Sequence, residues 1–409
     1  MSVPTVSVLS MRILHTSDWH LGRTLHGVDL HRAHEAFLDH LVELVRAERV
    51  DAVVVAGDVY DRAVPPVASV ELLSDALARL TALTRVVLTP GNHDSATRLG
   101  FGAGLFRDRL AVRSRIAGLG EPVVLPDADG APGALVYALP YLDPDMSREE
   151  LTETGEDGAR ERPARSHEAV TAAALRRVHA DLATRRAAGA RVPAMLLAHA
   201  FVTGGAASES ERDIRVGGVD AVPSGVFGPA GALDYVALGH LHGPQRVGRE
   251  GVDPVMRYAG SPLAFSFSEA AHHKSTALVD LGADGVRAVE LVPTPVPRRL
   301  GDVTGTLAAL LGRAFDDRTG DWLRVTVTDD VRPEQLWEQV ARRFPHALVV
   351  RHVPARVRER AAATVTSAQD PLEVAAQFLA AAGGRPARQA ELAVLREAYE
   401  AVLAAERSA

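Results

Sequence analysis

Five short polar motifs, each set directly behind a run of apolar residues, constrain this chain more than its length or composition does. They are Asp18-Trp19-His20, Gly57-Asp58, Gly91-Asn92-His93-Asp94, His199 within LLAHAF, and Gly239-His240-Leu241-His242. The apolar runs read as buried strands, and open α/β sheets place ligand groups at the carboxyl ends of their strands. A single Asp-x-His or Gly-Asp is most often a surface turn, and a lone His after a strand is most often a satisfied loop residue. Five such motifs in order, all at strand ends, argue for one assembled site.

The segments between the motifs support this reading. Arg12–Thr16, Asp51–Gly57 and Arg85–Pro90 are expected as strands, with helices over His31–Glu48 and Val70–Leu83. Ala134–Leu139, Ala194–Ala198, Tyr235–Leu238 and Ala277–Asp280 continue the series. Strand, helix and strand in rotation predict a layered α/β domain over residues 11–292. Asp143–Arg165, rich in charge, Pro and Gly, is expected to be an exposed loop, and Ser166–Ala188 a helix. Pro293–Pro297 (PTPVP) is the clearest linker, because alternating prolines resist both helix and sheet ladders.

Beyond it, strands at Leu323–Thr328 and Ala347–Val353 and a helix at Pro333–Arg343 predict a small α+β unit over 298–355. The last segment, 366–409, is expected to be helical. It starts with Asp370 as N-cap, Pro371 in the first turn and Glu373 reaching back. Leu392, Leu395, Tyr399, Val402 and Leu403 then share one face.

Composition narrows the chemistry. The chain has no cysteine, which excludes disulfides, thiolate catalysis and Cys-based zinc or iron–sulfur sites and fits a cytoplasmic protein. No apolar run approaches the ~20 residues of a membrane span, and the first ten residues lack the pattern of a secretory signal. Met11, directly before the first strand, is an alternative start. The formal net charge of −7 argues against coating nucleic acid through a general basic field. No GxxxxGK[ST] run is present, so any ATP hydrolysis belongs to a partner.

The motif residues are those that phosphodiester hydrolysis on two cations requires. Two ions ~3.5–4 Å apart activate water and neutralise phosphoryl oxygens, and Asp58 at a tight Gly turn suits a bridging carboxylate. Asp18 and His20, two apart on an extended segment, are expected to project to one side, and His240 and His242 share the spacing. Asn92 offers an amide oxygen and His199 an imidazole. This mixed N/O set favours Mn²⁺ or Fe. His93 is expected to point away from the metal toward substrate and to protonate the leaving oxygen, with Asp94 orienting its ring. The plainer alternative is that His93 only binds phosphate.

Together the five motifs resemble the calcineurin-like metallophosphoesterases. HTSDWHLG (15–22), GDVYDRAVPP (57–66), PGNHD (90–94), SESERDIRVGG (208–218), YVALGHLHGPQ (235–245) and YAGSPLAFSFSE (258–269) narrow the resemblance to the SbcD nuclease family. It covers roughly 11–292 strongly and the remainder more loosely. The resemblance implies a sandwich of two sheets flanked by helices, with a small capping domain and C-terminal helices. It implies one metal site of Asp18, His20, Asp58 and His242, a second of Asp58, Asn92, His199 and His240, two Mn²⁺ ions, and His93 as the catalytic histidine.

It also implies a DNA substrate, a homodimer within a heterotetramer, and an SbcC-like SMC-type ATPase partner. The implied work is exonuclease action on duplex ends and endonuclease action on single strands and hairpins, in DNA repair, recombination and replication beside the nucleoid. The terminal helices would dock on the partner's coiled coil or pack on their own domain. Asp61 stands where archaeal and eukaryotic relatives carry a histidine, so no catalytic role is expected of it. The competing readings are a small-molecule or phosphoprotein phosphoesterase and a non-catalytic scaffold. Of four other features, three have two readings each: DNA-backbone contact or a solvated face for the basic Arg107–Arg115, approach to substrate or a surface position for His26, and a phosphate contact or a turn for His272-His273-Lys274. Trp19 is expected to pack beneath the site.

Overall fold

The computed structural model describes residues 10–106, 108–155, 158–189, 191–212, 214, 221–354, 371–383 and 385–406. Two compact units divide it, one of Met1–Val327 with Glu334–Arg351 and one of Thr328–Pro333 with His352–Ala409.

The larger unit is built on two six-stranded sheets. In the first, the order is Gly285–Pro293, Ser275–Gly282, Ser10–Thr16, Ala52–Ala56, Arg85–Thr89 and Leu110–Val112. The last four run parallel, and the Ser275–Gly282/Gly285–Pro293 hairpin closes the other edge antiparallel. In the second, the order is Gln245–Val247, Val255–Tyr258, Tyr235–Gly239, Ala194–His199, Pro132–Ala138 and Val123–Pro126. Its four central strands are parallel and its two edges antiparallel.

The sheets pack face to face. Ile13, Val54 and Val87 from one meet Val136, Met195, Leu197 and Ala237 from the other. Strands buried on both faces carry unbroken apolar runs, which is why DAVVVAG and AMLLAH read so clearly. The outer face of the first sheet is covered by helices His31–Ala47 and Val67–Leu83, through Phe37, Leu41, Val45, Leu73 and Leu80. The helix His167–Ala188 supplies Val170, Leu175 and Val178 to the outer core of the second sheet. Its start is capped by Ser166, whose Oγ accepts the Ala169 amide.

The expected α/β layering is thus a four-layer sandwich. The chain also folds more of itself than the sequence suggests. The segment Asp143–Arg165, expected to be plain loop, contains the short helix Pro144–Ser147 and a two-stranded pairing of Glu153–Thr154 with Arg160–Glu161. Leu151 within it is fully buried.

Past residue 297 the same unit includes strands Leu300–Gly305, Trp322–Val327 and Ala347–His352 in one small sheet, with helix Leu336–Arg343. Val303, Leu310, Val325, Val340 and Phe344 form its own core. Leu300, Trp322 and Leu348 pack on Leu25, Leu30, Leu263 and Phe265 of the sandwich.

The second unit contains helices Pro371–Gly383 and Gln389–Glu406. Glu391 accepts from the Arg388 amide and pairs with Arg385, closing the start of the second helix. Asp370, expected as the cap of the first, lies outside the described residues. No helix among the described residues is long and apolar enough to cross a membrane.

Candidate metal centre

The parallel strands of both sheets end at one place. Asp18 and His20 follow Ser10–Thr16, Asp58 follows Ala52–Ala56, and Asn92 and His93 follow Arg85–Thr89. From the second sheet His199 closes Ala194–His199, and His240 and His242 follow Tyr235–Gly239. Gly57 and Gly239 let the two sheets meet this closely, and Gly91 lets two loops of the first sheet do the same. A Cβ on Gly57 would stand 2.3 Å from His199 Nδ1, on Gly91 2.2 Å from Asp58 Oδ1, and on Gly239 1.8 Å from the Ala56 carbonyl.

The backbone is strained where it presents the ligand candidates. Asp18, His20, Asp58 and His240 have φ of 54°, 46°, 48° and 105°. Such values are uncommon without glycine and concentrate at functional sites. Asp18 and His20 therefore do not lie on an extended segment, as their spacing suggested. Two left-handed residues turn them instead, and both reach His242, whose side chain groups with theirs.

All seven predicted ligand residues converge, in two sets. His20 Nε2 lies 3.1 Å from His242 Nε2. Asn92 Oδ1 lies 2.8 Å from His199 Nε2 and 3.2 Å from His240 Nδ1. Asp58 stands between the sets, with Oδ2 3.5 Å from His20 Nε2 and 3.4 Å from His199 Nε2. The His240 amide donates to Asp18 Oδ1 at 2.9 Å, tying the sheets together. Although His240 and His242 share the spacing of Asp18 and His20, they face different sets.

Electrostatics follow from burial. The Asp18 carboxyl is pushed up to about 6 by desolvation, against the pull of His199 and His242. Burial also lowers His20 and His240. His199 is the exception. Burial alone would lower it, yet the Asp58 carboxylate holds it up at about 9. Asp58 in turn lies well below the carboxylate range, because His199 and His20 outweigh its own desolvation.

His93 borders the first set, its ring 4.7 Å from that of His20 and its Nε2 3.9 Å from Asp58 Oδ2. Its amide donates to Asp58 Oδ1, and its Nδ1 donates to the Asp61 carbonyl at 2.8 Å. The expectation for Asp94 needs correction. Its carboxylate accepts the amides of Val59, Tyr60 and Gly91 and so clamps two site loops together; the acceptor at the His93 ring is the Asp61 carbonyl. The reason is positional: three amides converge on Asp94 and consume its oxygens. Burial, reinforced by the Asp58 charge, still pushes its carboxyl up to about 7.

Several residues around the site were not foreseen. Ser210, Glu211, Glu269 and Lys274 all contact His242, directly or through one another. Lys274, in the irregular stretch just ahead of strand Ser275–Gly282, is buried and paired with Glu269, so its ammonium is turned inward and not toward substrate. The signal for these residues lay in the runs at 208–218 and 258–269, matched by resemblance but given no physical role. Trp19 does pack beneath the site, its Nε1 donating to Thr16 Oγ1. His26 stacks near Phe267 at 5.1 Å. Arg109 donates to the carbonyls of Thr81 and Ala82 at a helix end, while Arg107 lies outside the described residues.

Residues 11–244 match the family described as calcineurin-like phosphoesterase. Residues 296–382 match a second family, described as type 5 capsule protein repressor C-terminal domain. The chain is 33% identical over 330 residues to the SbcD subunit of the SbcCD nuclease from Escherichia coli strain K12, covering 78% of each protein. It is 39% identical over 331 residues to the SbcD protein of Rhodobacter capsulatus, covering 75% of this chain and 77% of the relative.

The chain belongs to the SbcD family. A third SbcD relative, from Bacillus subtilis strain 168, is 37% identical over 277 residues and covers 66% of each protein. The SbcD fold seen here is that of a calcineurin-like metallophosphoesterase, with two mixed sheets flanked by helices and the convergent Asp and His side chains at one edge.

Proposed function

We propose that this SbcD-family enzyme is the nuclease component of an SbcCD-type complex, hydrolysing DNA phosphodiesters with two divalent cations, Mn²⁺ being the ion expected. In this reading Asp18, His20, Asp58 and His242 hold one ion, and Asp58, Asn92, His199 and His240 hold the other. The observation that carries it is the position of Asp58 Oδ2, within 3.5 Å of imidazole nitrogens from both sets. The donors fit such ions. They are oxygen and imidazole ligands without thiolate, and all but the half-buried Asn92 are buried. Asn92 Nδ2 and His20 Nδ1 are buried without a hydrogen-bond partner, so this polar cluster is not self-satisfied.

Bound cations would supply an activated water and offset charge on the phosphoryl oxygens. The chain's own residues do the rest. Because His93 Nδ1 donates to the Asp61 carbonyl, the proton that a charged ring can release toward a departing oxygen sits on Nε2. Asp94 holds the loops bearing Asp58 and Asn92 in register through three backbone amides. The 298–355 segment is assigned to selecting the form of DNA admitted. The helices within 366–409 are assigned to docking on the coiled coil of an SbcC-like ATPase, the whole working as a homodimer within a heterotetramer.

The test is to purify the chain with an SbcC-like ATPase and assay manganese-dependent cutting of hairpin and duplex DNA, with and without ATP. Cleavage of hairpin loops and of duplex ends supports the reading. Hydrolysis of a chromogenic diester with no cleavage of any DNA would contradict it and favour a small-molecule phosphoesterase.

A further inference from the structure

Behind His242, on the side away from His20, three buried residues from separate segments form one hydrogen-bonded line. Ser210 comes from the loop between strands Phe201–Val202 and Ala221–Val222. Glu269 ends the short turn Phe267–Glu269, and Lys274 precedes strand Ser275–Gly282. Ser210 Oγ lies 2.6 Å from His242 Nδ1 and also bonds Glu269 Oε1. Glu269 Oε2 takes the Lys274 ammonium, whose other bonds go to the His242 carbonyl at 3.0 Å and Ser261 Oγ at 2.9 Å. None of the four is more than 8% exposed.

We infer that Ser210, Glu269 and Lys274 are positioning residues that set the tautomer and orientation of His242, leaving its Nε2 lone pair aimed at the metal beside His20. This rests on the reading of His242 as a ligand. A serine hydroxyl has one proton to give. Ser208 Oγ, 2.9 Å from Ser210 Oγ, gives its own proton to Glu211 Oε2. With Glu269 ionised by its pairing to Lys274, the Ser210 proton goes to Glu269 Oε1, the shorter of its two contacts to oxygen acceptors, and Ser210 Oγ becomes an acceptor toward His242. His242 must then carry its proton on Nδ1, which leaves Nε2 free, 3.1 Å from His20 Nε2.

The alternative tautomer would set two lone pairs, or two protons, against each other at Ser210. The Glu269–Lys274 pair is neutral overall, so the line adds no net charge behind the ligand. All three ammonium donors of Lys274 are engaged, and none is left for substrate. The His242 amide is also held, by Glu211 Oε1 at 2.9 Å, so backbone and ring are fixed together. Partners of this kind orient metal-binding histidines, and losing one typically weakens metal affinity ~10–100-fold.

The test is manganese binding to the full chain by titration calorimetry, with the metal needed for half-maximal diester cleavage as a second readout. Wild type is expected to take up two ions. Ser210→Ala and Glu269→Gln are expected to weaken one of the two sites by ~10–100-fold and leave the other unchanged. Both should raise the manganese needed for half-maximal cleavage without lowering the rate at saturating metal. Ser210→Thr, which keeps the hydroxyl, should recover most of the loss.

Unchanged affinity at both sites in Ser210→Ala would overturn the proposal. So would a matched loss at both sites accompanied by a lower melting temperature of the metal-free protein, since that is what a merely structural role predicts. If Glu269→Gln fails to fold, the serine pair decides. Uptake of fewer than two ions by wild type would instead overturn the metal-site reading itself.

Discussion

Asp58 Oδ2 lies 3.4 Å from His199 Nε2, with both side chains buried. The same imidazole donates from Nδ1 to the Ala56 carbonyl and faces Asn92 Oδ1 with Nε2, so both ring nitrogens point at acceptors. Without metal the pair is therefore charged, His199 raised to about 9 and Asp58 lowered. A cation at this place has to displace the Nε2 proton.

Metal affinity should accordingly depend on pH. Below about 9 the site releases a proton as it loads, so affinity falls as pH falls, by about tenfold per unit for one proton. Calorimetry at one pH in buffers of different ionisation heat measures the release directly. A binding heat independent of buffer, with flat affinity between pH 7 and 9, would remove the basis of this prediction.

His93→Ala should retain two bound ions and lose ~10²–10⁴-fold in cleavage of DNA. A chromogenic diester, whose leaving group needs no proton, should lose far less. An equal loss on both substrates would point to phosphate binding alone, the plainer role for this histidine.

Asp94→Ala is expected to act through the fold. It leaves the amides of Val59, Tyr60 and Gly91 without their acceptor, at ~1–3 kcal/mol for each buried donor not rescued by water. The melting temperature should drop, while the pH–rate profile of the surviving enzyme keeps its shape. A stable variant with a displaced profile would restore Asp94 to orienting the His93 ring.

His15 lies between the sheets, its Nδ1 3.0 Å from the Tyr235 hydroxyl, and burial lowers it from 6.5 to about 3. The unfolded chain takes up this proton first, so the stabilisation is whole above 6.5 and is lost as pH falls toward 3. At about 1.4 kcal/mol per unit, wild type should lose about 2 kcal/mol more than His15→Leu between pH 7 and 5. Urea unfolding at the two pH values gives that difference, and equal losses would contradict it.

The readable parts of this sequence were those where one residue type must serve one purpose. AVVVA and AMLLAH are strands because both faces are buried, and the Asp, Asn and His behind them stood out as polar groups at the ends of apolar runs. The edge strands Leu110–Val112, Gln245–Val247 and Gly285–Pro293 were not foreseen, since they are short or alternate weakly with exposure. The role of Asp94 was hidden because its partners are backbone amides, which carry no sequence signature. Lys274 and Glu269 were missed because a buried ion pair looks, in sequence, like two surface charges. The left-handed turns at Asp18 and His20 were equally hidden, and the two residues meet by a different path from the one their spacing suggested.

The most direct measurement is anomalous diffraction from crystals soaked in manganese. The account predicts two peaks about 3.5–4 Å apart, both within ligand distance of Asp58, one beside His20 and His242 and the other beside Asn92, His199 and His240. A single peak, or two peaks that do not share Asp58, would contradict it.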